Sequence, residues 1–305
     1  MVEKKIEDKI KSLKELKNAL ILAHNYQIPE IQDIADFVGD SLDLALKATK
    51  TDAKNIIFCG VDFMAESAKI LNPEKNVIIP DVDAKCPMAE MVDSESLSFM
   101  KKEHSDAEVV TYINTTADVK AISDICCTSS NGIKIVKSRK SKKIIFVPDR
   151  NLGLYIQRFT PKHEMIIWQG VCPTHHKISK ENILKIKNKH PESKILVHPE
   201  CQPDVIDIAD YVFSTNGMIN HVKQSKEKEF IIGTEKGICH RLEKENPNKT
   251  FYPIESAICP NMKKISLKKV LNSLESLEPK VELPEKILNE AKLPLQKMMN
   301  IGRGD

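Results

Sequence analysis

Three stretches decide the fold: LILAHNYQIPEIQDIADFVGDSLDLALKA from Leu20, VVTYINTTADVKAISDICCTSSNGIKIVK from Val109 and ILVHPECQPDVIDIADYVFSTNGMINHVK from Ile195. They are copies of one pattern. His24, Tyr112 and His198 recur at steps of 88 and 86 residues, and Asp36, Asp124 and Asp210 keep the same steps. Ser41, Ser129 and Thr215 each fall 17 residues after the first of these anchors, and DIAD occurs at both Asp33–Asp36 and Asp207–Asp210. Several matches in fixed register mark an internal repeat.

Each copy opens with an apolar strand and a short helix, then a short strand ending in a Gly/Ser/Thr-rich turn. A helix follows, then strands NIIFCG from Asn55, KIIFVPD from Lys143 and EFIIGTE from Glu229. Another helix leads to NVIIPD from Asn76, MIIWQG from Met165 and TFYPIE from Thr250. Continuous apolar strands alternating with helices imply a parallel sheet covered on both faces. The expected fold is α/β: three similar three-layer αβα units in a pseudo-threefold arrangement. Their boundaries are expected at 1–86, 87–172 and 173–259, followed by a C-terminal helical tail over 260–305 that packs back onto the first unit. The terminal Gly-Arg-Gly-Asp is expected to fray. Ligands of such sheets gather beyond the carboxyl ends of the strands.

The rest of the 305-residue chain restricts the function. With 46 Lys+Arg against 43 Asp+Glu, the net charge of +3 is too balanced for a polyanion partner such as nucleic acid. Apolar runs such as Val77–Pro80 and Ile144–Val147 are strand-sized, and MVEKKIEDKIKSLKELK lacks the apolar core of a secretory signal. No membrane is expected, and the expected location is the cytoplasm, where free cysteines outnumber disulfides.

Among the eight cysteines there is no CxxC pair, yet Cys86, Cys172 and Cys259 are each followed by proline, at spacings of 86 and 87. One equivalent cysteine per unit brings three thiols to the threefold axis. They suit three ends: small buried hydrophobes, a zinc site completed by His175 or water, or an iron–sulfur cluster with one iron left open.

The first strand of each copy ends in a polar pair two residues apart: His24 and Tyr26, Tyr112 and Asn114, His198 and Glu200. Side chains at i and i+2 share one face of a strand, so six polar groups are expected near the cysteines. The turns GDSL (Gly39–Leu42), TSSNG (Thr128–Gly132) and STNG (Ser214–Gly217) precede helices, whose free amides suit phosphate or carboxylate.

Almost the whole chain resembles the quinolinate synthase family, iron–sulfur enzymes of de novo NAD biosynthesis. The resemblance rests on AHNYQIPEIQDIADFVGDSL, GVDFMAE, CPMA, PDRNLG, VHPEC, ADYVFSTNGM, GTEKG and CPNMKK. It implies three αβα domains around a [4Fe–4S] cluster, with Cys86, Cys172 and Cys259 as its three ligands and one open iron acting as Lewis acid. It also implies iminoaspartate and dihydroxyacetone phosphate as substrates, condensed to quinolinate with loss of phosphate and two waters. An iminoaspartate-producing enzyme is then a transient partner. Glu200, with His198 beside it, is the expected acid/base group; Tyr26 and Tyr112 are expected to hold or protonate intermediates, and Asn114 to orient a carbonyl or hydroxyl. His24, Ser41, Ser129, His175, His198, Ser214 and Thr215 are expected to anchor carboxylate or phosphate. Two alternatives stand beside this reading. Diphthamide-forming radical enzymes resemble the same architecture but cleave S-adenosylmethionine, and an iron–sulfur redox sensor would bind a partner without turnover.

Overall fold

The structure, a computed structural model, describes residues 2–305. The repeat becomes three four-stranded sheets with identical strand order. In the first, β1 (Ala19–His24), β2 (Phe37–Gly39), β3 (Asn55–Cys59) and β4 (Asn76–Ile78) are arranged β2-β1-β3-β4. The second holds β5 (Ala107–Tyr112), β6 (Ile125–Cys127), β7 (Lys143–Val147) and β8 (Glu164–Ile167) in the order β6-β5-β7-β8. The third holds β9 (Lys194–Val197), β10 (Tyr211–Val212), β11 (Glu229–Gly233) and β12 (Thr250–Pro253) in the order β10-β9-β11-β12. Every pairing between these strands is parallel.

The repeated aspartates explain the register. Asp36, Asp124 and Asp210 each turn a carboxylate oxygen back to the first strand of their own unit. They accept from Ile21 N at 2.8 Å, Val109 N at 2.7 Å and Ile195 N at 2.8 Å. The same aspartates donate their own amides to the carbonyls of Ile21, Val109 and Ile195. A residue that satisfies an amide on the unpaired edge of one strand and immediately precedes the next sets the pairing of the two.

Central strands such as β3 are buried along their whole length, with Ile56, Ile57, Phe58 and Cys59 in one core. Among the described residues, no helix is long and apolar enough to cross a membrane. The C-terminal segment departs from expectation in two ways. Helix Leu267–Ser276 does pack on the first unit, against helix Val2–Leu16 and β3, whereas helix Glu285–Ile301 lies against both helix Asp62–Leu71 of the first unit and β6 and helix Ala117–Ala121 of the second. The last four residues do not fray. Arg303 is paired with Asp40 at 2.8 Å and Asp43 at 3.3 Å, Gly304 N donates to Ser130 O, and Asp305 accepts from Ser214 N at 2.9 Å. An arginine beside two half-desolvated carboxylates holds the segment down where composition alone reads as disorder.

Candidate active site

The strand ends of all three units open into one cavity of about 210 Å³. Cys86, Cys172 and Cys259 line it together with His24, Tyr26, Ser41, Tyr112, Asn114, Ser129, His175, His198, Glu200 and Thr215. Ser214 does not. Its hydroxyl caps helix Thr215–Gln224 by accepting from Gly217 N, and it also accepts from Arg303 Nη2 at 2.8 Å. The N-cap duty faces it away from the cavity and leaves Thr215 as the lining residue.

The polar pairs also differ in detail from a strand pattern. β1 and β5 stop at His24 and Tyr112, and β9 stops at Val197. The second member of each pair therefore sits in a turn. Two of these turns are closed the same way: Tyr26 N donates to His24 Nδ1 at 3.1 Å and Glu200 N to His198 Nδ1 at 3.4 Å. Each imidazole thus keeps its proton on Nε2. Burial pushes both rings down, His24 to about 4 and His198 to about 3, against the opposing pull of Asp40 and Glu200 on the first and of Glu200 on the second. Both are neutral N–H donors at physiological pH.

Glu200 is 3% exposed and carries the densest set of contacts. Tyr112 Oη donates to Oε1 at 2.5 Å, and His175 Nδ1 lies 2.7 Å from Oε2. Burial alone would raise this carboxyl. The adjacent His175 and His198, with the hydrogen bonds from His175 and Tyr112, hold it below the usual carboxylate range. An ionised Glu200 only accepts, so His175 Nδ1 donates to it. In the neutral imidazole that leaves Nε2 to accept from Thr234 Oγ1 at 2.8 Å. Thr234 in turn accepts from Tyr26 Oη at 2.6 Å. A continuous directed chain runs Tyr26, Thr234, His175, Glu200, with Tyr112 entering from the other side. Thr234 was not legible as a site residue; it follows β11 in GTEKG and carries no repeat partner of its own.

Asn114 completes the polar wall. Its Oδ1 is buried with no partner among the described residues. A buried acceptor left open beside a cavity is costly unless a ligand fills it.

The thiols of Cys86 and Cys172 are pushed up by burial, with neighbouring thiol and carboxylate groups adding to the effect, and that of Cys259 by burial with Glu235 adding to it. All eight cysteines are free, and Cys59, Cys126, Cys127, Cys201 and Cys239 stand outside the cavity lining. Cys201, next in sequence to Glu200, directs its thiol at Gly233 O. Among the described residues, Cys172, His175 and Glu200 place potential metal-ligating atoms within 4.8 Å of one another.

Thiols, imidazoles, phenols and one ionised carboxylate, delivered from three αβα units to a shared cavity, are the equipment of an enzyme acting on a small polar substrate. The family model described as "NadA: Quinolinate synthetase A protein" matches residues 8–300. The chain is 50% identical over 302 residues to "Quinolinate synthase" of Thermodesulfovibrio yellowstonii, covering 99% of each chain. It is 51% identical over 298 residues to "Quinolinate synthase 1" of Methanosarcina acetivorans, covering 96% of this chain and 98% of the relative. It is also 51% identical over 302 residues to "Quinolinate synthase" of Alkaliphilus metalliredigens, covering 99% and 100%. The chain belongs to the quinolinate synthetase A family.

Proposed function

We propose that the protein condenses iminoaspartate with dihydroxyacetone phosphate to quinolinate, releasing phosphate and two waters, as a step of NAD biosynthesis in the cytoplasm. The observation that carries this reading is the trio Cys86, Cys172 and Cys259, one from each unit, at the wall of a cavity that also holds Glu200 and its proton chain. Three soft donors, unlinked by disulfides and without a fourth cysteine in the lining, fit a [4Fe–4S] cluster with three protein ligands and one open iron. When bound, that cluster supplies Lewis-acid assistance for expelling hydroxyl groups as water.

The protein's own groups do the rest. Neutral His24 and His198 donate Nε2–H bonds to carboxylates without bringing a charge that needs burial. Ser41, Ser129 and Thr215 offer hydroxyls at three turns, spaced around the cavity, for the remaining carboxylate or phosphate oxygens. Asn114 Oδ1 takes a hydroxyl or imine N–H. Glu200 receives a proton, and the chain through His175 and Thr234 to Tyr26 provides a route by which a proton reaches the opposite side of the cavity. Iminoaspartate is reactive in water, so an enzyme producing it by oxidation of aspartate is a fitting transient partner. Nucleic acid and membrane have no place in this reading.

The test is anaerobic purification with iron and sulfide analysis, followed by quinolinate assay. Serine at Cys86, Cys172 or Cys259 is expected to abolish iron and turnover, while serine at Cys59, Cys126, Cys127, Cys201 or Cys239 leaves both. A second reading rests on Cys172, His175 and Glu200 as ligands of a single divalent ion. Full turnover of zinc-loaded, iron-free protein would favour it.

A further inference from the structure

The three cysteine loops are pinned by one device repeated three times. Each of β3, β7 and β11 is followed by a buried or half-buried acid: Asp62, Asp149 and Glu235. Asp62 Oδ1 accepts from Phe63 N at 2.8 Å and from Cys86 N at 3.2 Å. Asp149 accepts from Leu152 N at 2.6 Å through one oxygen and from Cys172 N at 3.0 Å through the other. Glu235 divides likewise between Gly237 N at 2.7 Å and Cys259 N at 3.3 Å. In every unit, one carboxylate joins the start of a helix to the amide of the cysteine 23 or 24 residues later. A backbone bond two residues ahead of each cysteine reinforces the loop: Asp62 N to Ala84 O, Arg150 N to Gly170 O and Lys236 N to Ala257 O.

A helix cap alone does not require this. Serine or asparagine caps a helix as well as aspartate, and burying a carboxylate is costly. Asp149 and Glu235 are nonetheless fully buried. Glu235 is relieved by Lys263 at 2.9 Å, whereas Asp149 is held by backbone amides. What an acid adds over serine is a second oxygen, which the cysteine amide occupies at Asp149 and Glu235, while at Asp62 one oxygen accepts from both amides. That occupation has a consequence for the sulfur. Hydrogen bonds from amides to ligand sulfurs are one lever that sets the potential of an iron–sulfur centre. An amide committed to a side-chain oxygen is unavailable for that purpose.

We propose that Asp62, Asp149 and Glu235 are positioning residues that preset the three cysteine loops before any metal arrives and keep the potential of the bound centre low. The proposal rests on the reading of the cysteine trio as the cluster site. Asp149 is the strongest test because it lacks the lysine that accompanies Glu235.

In Asp149→Ala, both bonds go. In Asp149→Asn, one oxygen remains to accept, so one amide of the pair faces an N–H donor. Three measurements follow on reconstituted protein and on its iron-free form: iron release to a chelator, midpoint potential, and hydrogen exchange over residues 170–176. Outer partners of metal ligands are commonly worth 10–100-fold in metal affinity, so iron release from Asp149→Ala is expected to accelerate by about that factor. The potential is expected to rise in both variants, and loop exchange in the iron-free protein to accelerate at least about tenfold, with Asp149→Asn between wild type and Asp149→Ala. A role confined to capping the helix moves thermal stability and leaves the potential unchanged; that result overturns the proposal, as does wild-type exchange in the iron-free loop. Should Asp149→Ala not fold, Asp62→Ala removes the equivalent pair of bonds at a half-buried position. If wild type itself binds no iron, the cluster reading fails, while hydrogen exchange still decides whether the acids preset the loops.

Discussion

Replacing Glu200 by glutamine separates charge from shape at the most connected point of the cavity. The side chain keeps its volume, and an amide oxygen can still accept from Tyr112 Oη, now at 2.5 Å from Glu200 Oε1. The amide nitrogen then faces His175 Nδ1, which at 2.7 Å must become an acceptor. The ring proton moves to Nε2, Nε2 donates to Thr234, and Thr234 donates to Tyr26. The number of hydrogen bonds is preserved and their direction is reversed. Two charge-assisted bonds become neutral, a loss of about 1 kcal/mol each, against which stands relief from burying a charge, so stability is expected to stay within about 2 kcal/mol of wild type. Turnover is another matter. The base is gone and the relay points the wrong way, which predicts a fall of about 10²–10⁴-fold in kcat, or roughly 3–5 kcal/mol of transition-state stabilisation. Quinolinate formation under anaerobic conditions gives kcat and KM, and thermal unfolding on the same sample gives stability. A kcat within about threefold of wild type, or a fall that merely follows unfolding, refutes the reasoning.

Two further outcomes can be measured without turnover. The unfolded chain binds protons on His24 and His198 below about pH 6.5, while the folded protein resists until about 4 and 3. Acid therefore favours the unfolded state through this window, with a loss of about 2 kcal/mol from each ring by pH 5, read as a steeper pH dependence in denaturant melts. The His24→Asn, His198→Asn double variant is expected to flatten that dependence, and an unchanged slope counts against it. Arg303→Ala strands Asp40 and Asp43 in partly desolvated surroundings and is expected to cost about 2–3 kcal/mol at pH 8. Asp43 is raised to about 6, by burial first and by Asp40 second, so protonation relieves the repulsion and the deficit is expected to shrink by pH 5. A deficit that is the same at both values points to lost packing instead.

The strand-helix rhythm was readable because buried parallel strands are apolar throughout, and three copies in register reinforced one another. The cysteine trio was readable because proline follows each member and none of the others. Asp36, Asp124 and Asp210 were visible as anchors, but their work in pairing strands shows only in the folded chain. Other elements leave weaker traces. Ser214 looks like its neighbour Thr215 in sequence, and only the cap geometry turns one inward and the other away. Thr234 belongs to a relay whose direction follows from the ionisation of Glu200, a property of three-dimensional surroundings. Asp62, Asp149 and Glu235 do recur at steps of 87 and 86, but the change from aspartate to glutamate in the third copy and the differing residues around them hide the match. Arg303 sits in a Gly-rich end whose composition signals fraying, and its carboxylate partners lie more than 250 residues earlier.

A cavity assembled from three successive units has a birth order. Chains emerge from the ribosome N-terminal end first, and domains fold as they appear. A nascent chain that has completed two units presents Cys86 and Cys172 with the imidazole of His24 and the phenol of Tyr112, but neither Cys259 nor Glu200. The acid that orders the proton chain, the third thiol and the arginine that ties down the last turn all arrive only after the second unit is complete. An unfinished chain thus offers two thiols to the cell's metals and oxidants without the geometry that makes the full set selective. Slow translation, or truncation after the second unit, is a period of chemical vulnerability that ends when Glu200, Cys259 and Arg303 dock.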